Sequence, residues 1–145
     1  MPLQPQALLN GDHPRKIQLF IEALRSYGRA SLRVSGTSMW PELWPGDTVE
    51  IRIAAMSEMK VGDLAAFTRE ERVFVHRVVA SRRIDGALVL ITRGDALDSD
   101  DPPVHESELL GVASLTEKVP RTFLRRIRQT LHYRLLPPVR EKIRT

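Results

Sequence analysis

No cysteine occurs in the 145 residues, which removes disulfide staples, thiolate metal sites and cysteine nucleophiles together. No apolar run approaches the roughly 18 residues that a membrane-spanning helix requires. The first residues also lack the basic start and apolar stretch of a secretory signal, so the expected location is the cytoplasm. Neither an internal repeat nor a low-complexity segment is present. What remains is 42% hydrophobic and 28% charged, the make-up of an ordinary soluble globular protein. The length suits one domain with extensions and excludes two independent cores.

The formal net charge of +4 is unevenly spread. From Glu117 to Thr145 there are nine Lys and Arg against two Glu, whereas the rest of the chain carries 13 basic and 16 acidic residues. The basic character therefore belongs to the tail. A basic tail contacts acidic proteins or anionic lipid as readily as nucleic acid, and no specific nucleic-acid binding is expected of the main domain.

Residues 1–30 read as a loose lead followed by a helix. Ile17, Phe20, Ile21 and Leu24 fall at helical spacing from Pro14 to Ser26, with Pro14 at the start and Gly28 placed to end it. Residues 31–116 then show an all-β rhythm of short apolar runs between turn residues. A strand-like lead-in reaches Ser35 and Gly36. Further strands are expected at Thr48 to Ile53, Asp63 to Thr68, Arg72 to Ala80, Ala87 to Thr92 and Leu109 to Leu115. Asp85-Gly86 marks a hairpin.

The chemistry concentrates in Val34 to Asp47, where a turn presents Ser38 and Pro45-Gly46-Asp47 forces a second turn. A serine hydroxyl is a poor nucleophile unless a base reaches it. His76 is the candidate base. On the long run Val73, Val75, Arg77 and Val79 project to one side and Phe74, His76 and Val78 to the other, so the ring shares an apolar face. Taken alone, such a histidine reads as a core residue. An exposed serine turn upstream and the acidic loop Gly94 to Pro103 downstream change that reading, because nucleophile, base and orienting carboxylate are then all present. The loop holds Asp95, Asp98, Asp100 and Asp101, which repel one another unless cationic or hydrogen-bonded partners are found. It lacks the glycine and distal glutamate of a calcium loop, and neither a metal nor a cofactor is expected.

Ser35-Gly36-Thr37-Ser38-Met39-Trp40-Pro41, Pro45-Gly46-Asp47, Val61-Gly62-Asp63-Leu64, Val75-His76-Arg77-Val78-Val79, Thr92-Arg93-Gly94-Asp95 with Asp101-Pro102, and Leu110-Gly111-Val112 resemble in order the boxes of signal peptidase I. The closer resemblance is to the archaeal and endoplasmic-reticulum branch, in which histidine replaces the bacterial lysine. The first box is also similar to the LexA-type self-cleaving proteases. The resemblance implies a mainly β, irregular barrel-like peptidase fold and a serine endopeptidase that cuts after small residues. It matches Ser38 to the nucleophile, His76 to the base, Asp101 to the triad carboxylate and Asp95 to a supporting acidic residue, with either aspartate open as the partner of His76. The Ser38 backbone N–H would contribute to the oxyanion hole. Gly36 stands where the family often carries a serine.

Several other readings are set aside by what is missing. No Ala-Gly or Cys-Gly precedes Ser38 as a self-cleavage site, so the substrate is expected to be a separate peptide or protein. Gly36-Thr37-Ser38-Met39-Trp40 lacks the second glycine of a nucleophile elbow. Lys60 stands away from the box where a dyad lysine would fall. Trp40 and Trp44 either line a substrate groove or pack their turn. In the tail 117–145, Phe123, Leu124, Ile127, Leu131 and Leu135 form the stripe of a basic amphipathic helix, which fits peripheral membrane or partner-protein contact through residues 120–136. A catalytically silent peptide-binding module on the same fold is the competing reading.

Overall fold

The computed structural model describes residues 14–120; the amphipathic stripe expected at 121–136 lies outside the described residues. Helix α1 (Pro14–Tyr27) is followed by six strands: β1 (Arg29–Arg33), β2 (Thr48–Ile53), β3 (Leu64–Arg69), β4 (Arg72–Ile84), β5 (Ala87–Arg93) and β6 (Leu109–Glu117). A single 3-10 turn, Met56–Glu58, lies between β2 and β3. The strands form one antiparallel sheet in the order β1-β2-β6-β3-β4-β5.

Helical periodicity places Ile17, Phe20 and Leu24 on one buried face of α1. Gly28, at φ +75°, returns its N–H to the Leu24 carbonyl at 2.8 Å and ends the helix. Phe20 and Leu24 pack with Leu32, Met39, Leu43, Val49, Ile51, Ala66 and Ala113. The other face of the sheet buries Met56, Met59, Ala65, Phe67, Val78, Leu90 and Val104. Fully burying a Phe or Leu side chain contributes about 1.5–3 kcal/mol, so both faces hold the sheet. Central strand β3 accordingly has consecutive buried residues at Ala65, Ala66 and Phe67 rather than alternation.

Two two-residue turns set the register around the long strand. Asp85 and Gly86 both take positive φ, as the sequence suggests; Glu70 and Glu71 do the same between β3 and β4 without any turn signature. Strand β4 continues four residues beyond Ala80 because Ser81 to Ile84 pair with Ala87 to Leu90 in the hairpin. This extension is exposed and has no apolar alternation to announce it.

The all-β rhythm read from the sequence is present, but the barrel-like form that the resemblance implies needs correction, because the sheet does not close. Among the named strands β1 pairs only with β2 and β5 only with β4. The physical reason lies at β5. Its outer edge is taken by the returning acidic loop, where Asp101 N–H donates to the Thr92 carbonyl at 2.8 Å and Val104 exchanges two backbone bonds with Leu90. Among the described residues no helix is long and apolar enough to cross a membrane.

Candidate active site

The loop between β1 and β2 is closed at its base by Val34 N–H to the Asp47 carbonyl and Gly46 N–H to the Val34 carbonyl, both at 2.8 Å. Inside it, Trp40 N–H reaches the Thr37 carbonyl and Leu43 N–H the Met39 carbonyl, winding a single helical turn. Met39 and Leu43, four residues apart on one face of that turn, sink into the same core cluster, which fixes the turn and leaves Ser38 half-buried at its start. Buried Asp47 supports this loop by accepting from the backbone N–H groups of Trp44 and Val119, both at 2.8 Å. The Trp44 indole donates to the Pro41 carbonyl and its ring meets Trp40 at 5.2 Å, so Trp44 packs the turn.

His76 sits in mid-β4 opposite Ala65, on the face that carries Phe67 and Phe74. Both aromatic rings meet the imidazole edge-on, at 6.0 and 5.9 Å, and the side chain is buried. Alternation along β4 is what points it inward. Its Nε2 lies 3.0 Å from Ser38 Oγ, and its Nδ1 lies 2.6 Å from Asp101 Oδ2. A neutral ring that donates Nδ1–H to the carboxylate keeps Nε2 as the acceptor for the serine hydroxyl.

Asp101 reaches this position through the return of the acidic loop along β5. Besides His76, its Oδ2 accepts the hydroxyl of fully buried Thr92 at 2.6 Å. Asp95 goes elsewhere. Arg77, which alternation sends to the opposite face from His76, grips both Asp95 oxygens at 2.9 and 2.8 Å and donates to the Gly62 carbonyl. The Asp95 hydrogen bond, against the opposing effect of burial, raises the Arg77 guanidinium further above its ordinary value.

The pair docks the loop under Ser38. Asp95 N–H meets the Met39 sulfur at 3.4 Å and Ala96 N–H donates to the Ser38 carbonyl at 2.9 Å. Of the remaining aspartates, exposed Asp100 pairs with Arg93. The mutual repulsion within the loop is therefore relieved by Arg77, Arg93 and the His76 ring. Among the described residues no three His, Asp or Glu side chains cluster as a metal site.

The structure thus brings three of the four candidate residues, Ser38, His76 and Asp101, into one hydrogen-bonded line. Asp95 does not join that line and pairs instead with Arg77. Thr92 and Arg77 were not singled out from the sequence. Arg77 carried a usable signal, since it adjoins His76 and four aspartates needed cations; Thr92 carried none beyond its place at the head of the box that holds Asp95. Lys60 lies in an exposed turn, where its backbone N–H donates to Asp63.

Among the described residues, hollows of two sizes open on the surface. The larger, about 540 Å³, is lined by Met56, Leu88 and His105 among others and touches none of Ser38, His76 and Asp101. A smaller one of about 150 Å³, lined by Val79, Arg93, Gly94, Asp95 and Leu97, adjoins the loop docked under Ser38. No family model matches the chain, and no curated protein matches it either.

Proposed function

We propose that the chain is a serine endopeptidase that cleaves a peptide or protein substrate in trans, on a signal peptidase I-like framework related to the LexA-type proteases. The observation that carries this reading is the imidazole of His76 held between Ser38 Oγ at 3.0 Å and Asp101 Oδ2 at 2.6 Å. In the proposed reaction Ser38 Oγ attacks the scissile carbonyl while its proton passes to Nε2. Asp101, which stays ionised, stabilises the imidazolium. The tetrahedral intermediate collapses as Nε2–H protonates the departing amine, leaving an acyl-enzyme on Ser38. Water then gives a proton to Nε2 and its hydroxyl to the acyl carbon, and the serine is regenerated.

The carbonyl oxygen gains charge in both steps. Among the described residues the Ser38 N–H takes no hydrogen-bond partner, and it is the donor assigned to that oxyanion, a contribution of about 3 kcal/mol in such sites. The reading places the enzyme in the cytoplasm or at a membrane surface, with residues 120–136 as its contact element.

A fluorophosphonate probe tests the proposal, because it phosphonylates only an activated serine. Stoichiometric labelling that vanishes in Ser38→Ala and His76→Ala is expected. Absence of labelling of the unaltered chain across about pH 6 to 9, where a histidine base operates, would sink it in favour of a silent peptide-binding module.

A further inference from the structure

We infer that Arg69 is a positioning residue for this triad: it grips the two proline carbonyls that follow Asp101 and so holds that carboxylate against His76. The inference rests on the peptidase reading for its catalytic meaning, but the geometry it describes is independent of turnover.

Arg69 is the last residue of β3, and alternation puts it on the same face as Phe67 and Ala65, the residue opposite His76. Its guanidinium lies over the Phe67 ring, 5.3 Å from the centroid, and the same ring meets the His76 imidazole edge-on. From there it makes four hydrogen bonds. Nη1 donates to the Pro102 carbonyl and Nη2 to the Pro103 carbonyl, each at 3.0 Å. Nε and Nη2 donate to the two carboxylate oxygens of Glu108 at 2.9 and 3.2 Å.

The two prolines explain why this clamp is needed. Asp101 is tied to β5 through its N–H on the Thr92 carbonyl, and ladder bonding resumes only at Val104 with Leu90. Pro102 and Pro103 lie between and have no N–H to donate. Arg69 is the donor that receives their carbonyls. Glu108 in turn orients the fork, accepting both the guanidinium and the His105 N–H at 3.0 Å. A planar guanidinium can serve two carbonyls and a carboxylate at once, whereas a lysine ammonium is a single point donor. Loss of the fork therefore frees the segment immediately after Asp101 to move, and the His76–Asp101 contact lengthens.

The test compares full-length wild type, Arg69→Met and Arg69→Lys, with Asp101→Asn as the reference for a lost contact. The Nδ1 proton and ring nitrogen shifts of His76 are read by NMR at a temperature where circular dichroism shows each variant folded. Arg69→Met is expected to move these signals toward those of Asp101→Asn, with Arg69→Lys between. The fluorophosphonate labelling rate should fall by about 10- to 100-fold, the usual consequence of misplacing a catalytic group by a fraction of an ångström to an ångström. His76 signals that stay at wild-type positions in Arg69→Met overturn the inference and leave Arg69 a purely structural residue. Failure of the wild type to label defeats the peptidase reading alone, since the ring signals still decide the clamp. Should Arg69→Met not fold, Glu108→Gln, which removes half of the carboxylate anchor, carries the same comparison.

Discussion

Gly94 passes so close to Ser38 that a Cβ built on it would lie 2.6 Å from the Ser38 carbonyl oxygen. That oxygen also accepts the Ala96 N–H, so the acidic loop is seated on the backbone of Ser38 itself. Only a residue without a side chain permits this approach, because the obstacle is backbone and cannot swing aside. Gly94→Ala is expected to destabilise the fold by about 1–3 kcal/mol, as overpacking does. It should also slow serine labelling at temperatures where the variant is folded. Urea midpoints and labelling rates check the two effects, and an unchanged rate would separate the loop from the positioning of Ser38.

The two aspartates that the sequence left open as partners of His76 now have different surroundings, and their asparagine variants should differ accordingly. Asp101→Asn replaces the charged acceptor by an amide whose NH2 can donate to Nδ1 and so favours the wrong tautomer; the acylation rate is expected to fall roughly 10³- to 10⁴-fold with the fold retained. Asp95→Asn should leave the proton transfer in place and act through Arg77 and the loop. A larger loss of rate in Asp95→Asn than in Asp101→Asn would reverse the assignment.

Thr92 donates its hydroxyl to the same Asp101 oxygen that faces His76. Thr92→Val keeps the shape of the side chain but leaves a carboxylate oxygen without that donor. A stability loss of about 1–2 kcal/mol is expected, together with slower labelling. Thr92→Ser should restore much of both, and equal behaviour of the Val and Ser variants would rule out the hydroxyl as the cause.

The Arg77–Asp95 pair is bidentate but partly open to solvent, with side-chain exposures of 31% and 21%. Screening keeps its net worth small, and a double-mutant cycle of Arg77→Met and Asp95→Asn should return a coupling of about 1 kcal/mol. The cycle is measured by chemical denaturation, and raised salt should reduce the coupling.

Glu108 is the group that ties stability to pH. The Arg69 hydrogen bond, opposed by burial, holds its carboxyl below the ordinary value of 4.5. Below that value the unfolded chain binds a proton more readily than the folded one. The contribution is therefore complete above the unfolded value and is lost as pH falls through the lower, folded value. Stability measured by urea unfolding should decline below about pH 5 on this account, and Glu108→Gln should flatten that part of the curve. A slope unchanged in Glu108→Gln would assign the acid sensitivity to other carboxyls.

Much of this arrangement was legible in residue order, because local rules govern it. Ile17, Phe20 and Leu24 mark α1 by their spacing, and Asp85-Gly86 marks its hairpin because that dipeptide accepts the two positive φ angles the turn requires. The far end of β4 was not legible, since Ser81 to Ile84 are exposed and are strands only through pairing with β5. Nor was the Glu70-Glu71 turn, where the pairing of Arg69 with Arg72 imposes positive φ on residues that do not favour it. The open sheet and the order β2-β6-β3 depend on contacts between distant segments that no local pattern encodes.

The sequence by itself determined the inventory: a serine on a tight turn, an inward-facing histidine on a strand, four nearby aspartates and no thiol to compete with them. Which aspartate meets the imidazole was decided only in three dimensions. Asp101 rather than Asp95 turns toward His76 because the loop after β5 folds back along that strand's free edge, held by Thr92, Leu90 and Arg69. Arg77 meanwhile reaches from the other face of β4 to hold Asp95. Alternation along a strand is a local property written in residue order, but the return path of a loop is set by partners many residues away, and those become neighbours only when the sheet has formed.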